Sequence, residues 1–479
     1  MNRYAIAIAL SALMISGPAF SATENATEAN HASVHSAQDL ERQVKQWNAT
    51  QAMLWAMPAV NFQLMLDAFR NMQGEPNQIA YWSKPLNWKN QTLTPNPATL
   101  YFMPFYDTRN GPMVLEIPPA QGGSITGSVD DAWQNPLSDV GPAGADKGKG
   151  GKYLILPPGY KGRVPAGYIA LRSPTYQGFA ILRSNMAEGG DKDIEQAVAY
   201  GKRVKFYPYG VGKGAGETHF VDAYDKLFDS TIPYDSRYFD ALSRFVQVEP
   251  WLPRDMAMID PLKSIGIEKD RDGTQLAANK EILNAAGAQA HSLLDLWTEK
   301  AYKPAFNEGS HWALPASPAV VQGMASDFAA PDSYPVYGRA VIFSMAYFSA
   351  KQLGSGQFYL MTIRDKDGNK LVGDEAYRLH VPANPPIKLY WSATAYDGST
   401  HALIRESRWS NRGSNTPGLQ KNADGSVDIY FGPSAPAGKE VNWIPTQPGK
   451  PFEVLFRFYG PEKPLFDKTW KLPDIEAMK

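Results

Sequence analysis

The densest mixture of groups able to do chemistry is the run Asp130-Asp131-Ala132-Trp133-Gln134-Asn135, followed by Asp139 and a lysine- and glycine-rich segment from Asp146 to Lys152. Carboxylates accept hydrogen bonds from sugar hydroxyls and an indole stacks on the apolar face of a sugar ring, so this run suits a carbohydrate ligand. Paired carboxylates also suit the acid and base steps of glycoside cleavage. Side chains alternate between the faces of a strand, which groups Asp131, Trp133 and Asn135 and turns Asp130 the other way. Asp131, Trp133, Asn135 and Lys149 are therefore the candidate ligand-binding residues, with Asp131 the candidate catalytic carboxylate if the chain turns a substrate over. The competing reading is that the run only shapes a loop.

The segment Lys147-Gly148-Lys149-Gly150-Gly151-Lys152 has the composition of a phosphate loop. It lacks that motif's spacing and hydroxyl and precedes a strand, so it reads as a basic loop near Asp131. The seven histidines, His31, His35, His219, His291, His311, His380 and His401, form no pair at metal-ligand spacing. Asp365-Lys366-Asp367-Gly368-Asn369 begins like a calcium loop, but its final ligand position is Ala376. No metal or cofactor is expected. With no cysteine and no Gly-x-Ser-x-Gly elbow, a nucleophile would have to be Ser, Thr, Lys or a carboxylate. A second polar aromatic group, Arg405, Glu406, Arg408 and Trp409 with Asn442 and Trp443, stands in the C-terminal part.

The elements that must position these residues follow from composition and periodicity. Residues 1–22 carry one cation, a run of about a dozen apolar residues and small residues at Ala19, Ser21 and Ala22, the pattern of a signal peptide cleaved near residue 21 or 22. That run is shorter than the roughly 20 residues of a membrane-spanning helix, and no later one suffices, so a periplasmic or secreted chain without a transmembrane span is expected. The 47 basic and 48 acidic residues form no long block of one sign, which leaves nucleic acid without an electrostatic footprint. Twelve Trp, 24 Tyr and 21 Phe among 40 Gly and 38 Pro suit short strands joined by many turns.

Residues 23–37 read as a flexible leader. Helical periodicity over 38–72 predicts two helices broken near Pro58. Alternating runs at 99–106, 113–117, 153–156 and 168–171 predict a first β domain, completing a unit over 38–204, and residues 205–335 read as a helical and irregular connector. Runs at 358–363, 377–381, 389–396, 427–431 and 452–458 predict a second β domain over 336–479. A faint echo between the halves pairs Arg172 with Arg457.

The stretch Asn90-Gln91-Thr92-Leu93-Thr94-Pro95-Asn96-Pro97, with Asp131-Ala132-Trp133, Asp139-Val140-Gly141-Pro142 and Pro157-Pro158-Gly159-Tyr160, resembles domain-of-unknown-function family 1254. Trp391-Ser392, Asn442-Trp443-Ile444-Pro445 and Tyr459-Gly460-Pro461 resemble family 1214. The resemblance implies a mainly β fold with helical segments: two β-sandwiches of jelly-roll type, N-terminal helices and a helical connector. It implies no reaction. The expectation is an exported binding or structural module for a carbohydrate or other envelope ligand, with a periplasmic hydrolase of carbohydrate-containing polymers as the alternative.

Overall fold

A computed structural model of the chain describes residues 36–186, 190–210, 216–271, 273–314, 316–346, 350–351 and 356–478. The expected signal peptide and most of the expected leader lie outside the described residues. Residues 42–479 form one compact unit. In the described part of the other, Ser36 Oγ accepts from the Asp39 N–H at 3.1 Å and caps the first turn of the helix Ala37–Asn71.

Two β-sandwiches carry the architecture. In the first, six strands run in the order Phe220–Asp222, Gln78–Tyr81, Leu100–Asp107, Gln177–Ser184, Ile125–Asp131, Pro136–Val140. They face a sheet ordered Lys205–Pro208, Met113–Ile117, Gly151–Leu156, Tyr168–Arg172. Phe102, Tyr106, Leu115, Val129, Tyr153 and Leu182 fill the space between. In the second, Gln357–Thr362, Phe452–Tyr459, Trp391–Asp397 and Asn411–Gly413 face Trp443–Pro445, Val427–Gly432, Tyr377–Val381 and Glu476–Ala477. Leu379, Ala393, Ile429, Phe456 and Phe458 form that core.

Period-two alternation leaves a second face to the larger sheet, by strand length, of each sandwich: the six-stranded sheet of the first and the sheet built on Phe452–Tyr459 in the second. Phe102 points into the first sandwich while Tyr101, Met103 and Phe105 point away; Phe456 and Phe458 point into the second while Leu455 points away. These outward faces meet a helical middle layer built from Ala37–Asn71, Ser236–Val248, Lys280–Ala301, Pro318–Ala325 and Val336–Met345, all in one cluster of buried side chains. That layer is why helix, at 29% of residues, matches strand at 26%.

Two local expectations come out differently, and one turn between neighbouring strands does not close a hairpin. The first helix runs unbroken through Pro58, because nearly every residue from Ala49 to Phe69 is buried and tertiary packing outweighs the missing N–H. The turn at 108–112 joins two strands that do not pair: Thr108 Oγ1 donates to the Tyr176 carbonyl at 2.8 Å, and the chain crosses from one sheet to the other. Residues 205–229, read as the start of the connector, supply strands: two extend the sheets of the first sandwich, with Phe206 opposite Leu115 and Val221 opposite Ala80, and Phe228–Asp229 pairs with Asn90–Gln91 in a two-stranded sheet.

Candidate functional site

The structure brings Asp131, Trp133 and Asn135 together and closes them off. Where the strand Ile125–Asp131 ends, Asp131 Oδ1 accepts the N–H groups of Trp133 and Asn135 at 2.9 and 2.8 Å, and Oδ2 accepts Asn135 Nδ2 at 3.0 Å. Burial pushes the Asp131 carboxyl up, against the Asn135 donors and the guanidinium groups of Arg254 and Arg339. Trp133 is 3% exposed, its ring 4.9 Å from Trp55 and 5.3 Å from Phe245. The gap beside it, lined also by Glu249 and Asp255, is about 10 Å³, room for one water. Lys149 stands exposed on a separate turn. Of the second polar aromatic group, Trp409 Nε1 donates to the Trp443 carbonyl at 2.7 Å, and Arg408 and Arg412 both lie over the Trp409 ring.

None of those residues lines the large cavity of the molecule. That cavity, about 780 Å³, lies between the outward faces of the two larger sheets. Tyr101, Thr126, Ser128, Ile181 and Arg183 come from the first sandwich, and Tyr359, Met361, Leu455, Arg457 and Tyr459 from the second. Leu314, Val321, Ile342 and Met345 add an apolar wall. Gly127 lets two backbones approach there: its φ is +156°, and a Cβ would stand 2.0 Å from the Ile181 carbonyl oxygen.

Two arginines line the cavity. Arg457 is 3% exposed, and its hydrogen-bond acceptors are all neutral: Thr394 Oγ1 at 2.9 Å, Tyr396 Oη at 2.7 Å, and the carbonyls of Thr94 and Pro95 at 3.1 and 3.4 Å. Among the described residues it has no ion pair with a carboxylate. Arg183 lies over the Tyr101 ring at 5.4 Å. Burial pushes the Tyr359 hydroxyl up, and the guanidinium groups of Arg183 and Arg457 both oppose that push, so both cations act on one point of the cavity wall. Tyr459 stacks on Tyr390 with ring centroids 3.9 Å apart and accepts Asn96 Nδ2 at 2.6 Å. Arg172, the position the sequence echo pairs with Arg457, is exposed on an edge strand; Arg183 is the residue that faces the same cavity.

A second charge lies on the same face as Arg457. Glu453 is 1% exposed and its two oxygens stand 2.9 and 3.0 Å from His401 Nδ1. Burial pulls the His401 imidazole down, and the Glu453 carboxylate outweighs it, so its pKa is raised from 6.5. A pKa raised by folding means that the protonated ring stabilises the native state: the contribution is complete below about 6.5 and lost as pH rises through the raised value. The urea midpoint is therefore expected to fall between about pH 6 and pH 9, and by less in His401→Gln. Equal slopes in the two proteins would remove the pair from the account.

Among the described residues no helix is long and apolar enough to cross a membrane, and no group of three or more His, Asp or Glu is placed to hold a metal ion. No curated protein matches the chain. Of solved structures, the VPA0106 protein of Vibrio parahaemolyticus is similar at 18% identity, covering 91% of this chain and 100% of that one, with a TM-score of 0.52. An uncharacterized protein from Burkholderia cenocepacia is similar at 10% identity over 92% and 96% of the two chains, with a TM-score of 0.40. The first likeness shows the fold alone, and the second carries no argument. Arg183 and Arg457 fall in the two stretches that match families described as proteins of unknown function: the chain carries a DUF1254 region over residues 76–208 and a DUF1214 region over 356–463, joining both families in one polypeptide.

Proposed function

We propose that the protein is an exported binding protein whose ligand occupies the cavity between the two sandwiches. The observation that carries this reading is a space of about 780 Å³, within the range that suits a small-molecule ligand, walled mostly by apolar side chains with polar groups and two guanidinium groups among them. Leu93, Leu314, Val321, Ile342, Met345 and Leu455 favour a ligand with an apolar body over a bare carbohydrate. A carboxylate hydrolase finds no support at Asp131, whose oxygens already serve three N–H donors. Export rests on the pattern of residues 1–22.

The neutral dye N-phenyl-1-naphthylamine, whose emission rises in apolar surroundings, tests the cavity directly. Saturable binding at one site is expected for the wild type, weakened at least tenfold in Val321→Trp, which fills the cavity from the helix Pro318–Ala325. Equal binding by the variant, with an unchanged unfolding midpoint, would place the dye elsewhere and end the proposal. The intact mass of the same preparation, taken from the soluble periplasmic fraction, is expected to match a chain beginning at residue 22 or 23; a full-length chain in the membrane fraction would overturn export.

A further inference from the structure

We infer that the occupant of this cavity is an amphiphile with an oxyanion head, a carboxylate or a phosphate monoester, seated between Arg183 and Arg457 with its apolar body against Leu314, Val321, Ile342, Met345 and Leu455. The inference rests on the cavity being a ligand site and adds the chemistry of the ligand.

The first argument is charge. Among the described residues the lining holds two guanidinium groups, Arg183 and Arg457, and one carboxylate, Asp139. Asp139 Oδ1 already accepts Ser128 Oγ at 2.9 Å and the Lys351 N–H at 3.0 Å. Burying a guanidinium is costly unless an anion compensates it. Among the described residues Arg457 is buried with neutral acceptors only, and the ionisable groups that act on it most are the hydroxyls of Tyr396, Tyr459 and Tyr359. The compensating charge is what an anionic ligand supplies.

The second argument is geometry. Arg457 spends its Nη atoms partly on the Thr94-Pro95 carbonyls and on Thr394 and Tyr396, which orient the planar group at the cavity wall before any ligand arrives. Arg183 enters from the facing sheet with its guanidinium over Tyr101. The Tyr101 hydroxyl accepts the Asn96 N–H at 3.2 Å, which leaves its own proton to be donated. Oxyanions take several charge-assisted hydrogen bonds from planar donors, and here the donors come from both halves of the chain. Apolar side chains elsewhere in the lining leave room for a chain or ring system without further charge.

The test is displacement of bound N-phenyl-1-naphthylamine from the wild-type protein by four twelve-carbon compounds below their micellar concentrations: dodecanoate, dodecyl phosphate, dodecanol and dodecyltrimethylammonium. At least one of the two anions is expected to displace the dye at a tenfold or more lower concentration than dodecanol, and the cation is expected to be the weakest. The order of the two anions identifies the head. In Arg183→Gln the anion-to-alcohol ratio is expected to fall to within about threefold of one, a ratio in which any change in dye affinity cancels; Arg183→Lys is expected to recover part of it. Dodecanol displacing as well as both anions, or a ratio untouched by Arg183→Gln in a protein of normal unfolding midpoint, would overturn the inference. Failure of the dye itself to bind strikes the cavity reading, whereas dye binding without head-group preference strikes only this one.

Discussion

Trp133→Ala is expected to lower folding stability by about 3–5 kcal/mol and to leave dye binding in the folded protein within about twofold of wild type. The indole is enclosed by Trp55 and Phe245, and alanine there leaves a hole that the Ala37–Asn71 helix, itself buried along most of its length, has little freedom to close. Among the described residues its Nε1 has no hydrogen-bond partner, so the loss is chiefly one of packing. Urea unfolding read beside dye titration separates the outcomes. A small stability loss with strongly weakened binding would return Trp133 to the role of a ligand-stacking ring.

Arg339→Ala is expected to cost about as much, about 3–5 kcal/mol, for a different reason. Arg339 is 2% exposed in the helix Val336–Met345; it donates to the Trp133 carbonyl at 2.6 Å and to Asn135 Oδ1 at 2.9 Å, under the rings of Phe328, Tyr334 and Phe343. Removing it strands two buried acceptors and takes a cation from beside Asp131 and Asp255. Lysine restores the charge without the planar fork, so Arg339→Lys is expected to recover only a minor part. Because Arg339 holds the Trp133 carbonyl, the double variant with Trp133→Ala should lose at least 0.5 kcal/mol less than the sum of the single losses, as expected for sites that share partners. Strict additivity would show that the loop and the helix are energetically independent.

Much of the fold is legible in the chain because turn residues and period-two alternation are local signals. The runs at 113–117, 377–381 and 452–458 correspond to the strands Met113–Ile117, Tyr377–Val381 and Phe452–Tyr459, and the helical part of the connector contains the helix Lys280–Ala301. The strand Gln177–Ser184 is not legible: it is buried on nearly every residue, so it shows no polar alternation, and a short apolar run cannot be distinguished from a piece of helix. Gln78–Tyr81 and Phe220–Asp222 are too short to stand out and exist as strands because the first pairs with Leu100–Asp107 and the second adds to its other side.

Asp131, Trp133 and Asn135 were legible as a group because they are neighbours in sequence and share one turn. Their burial was not, since the partners that enclose them, Trp55, Phe245 and Arg339, lie 78, 112 and 206 residues from Trp133. The sequence did hold a signal for the cavity: Arg457 interrupts the apolar strand Phe452–Tyr459, and Arg183 sits near the end of Gln177–Ser184, both in runs where a charge is costly. By itself the sequence determined the strand and turn grammar and the two halves, because backbone preference and alternation act over a few residues. Tertiary structure alone decided which face of each large sheet meets its own core and which meets the cavity. Both faces are apolar enough to be buried, and only the approach of the two sandwiches sets Arg183 and Arg457 on the walls of one cavity.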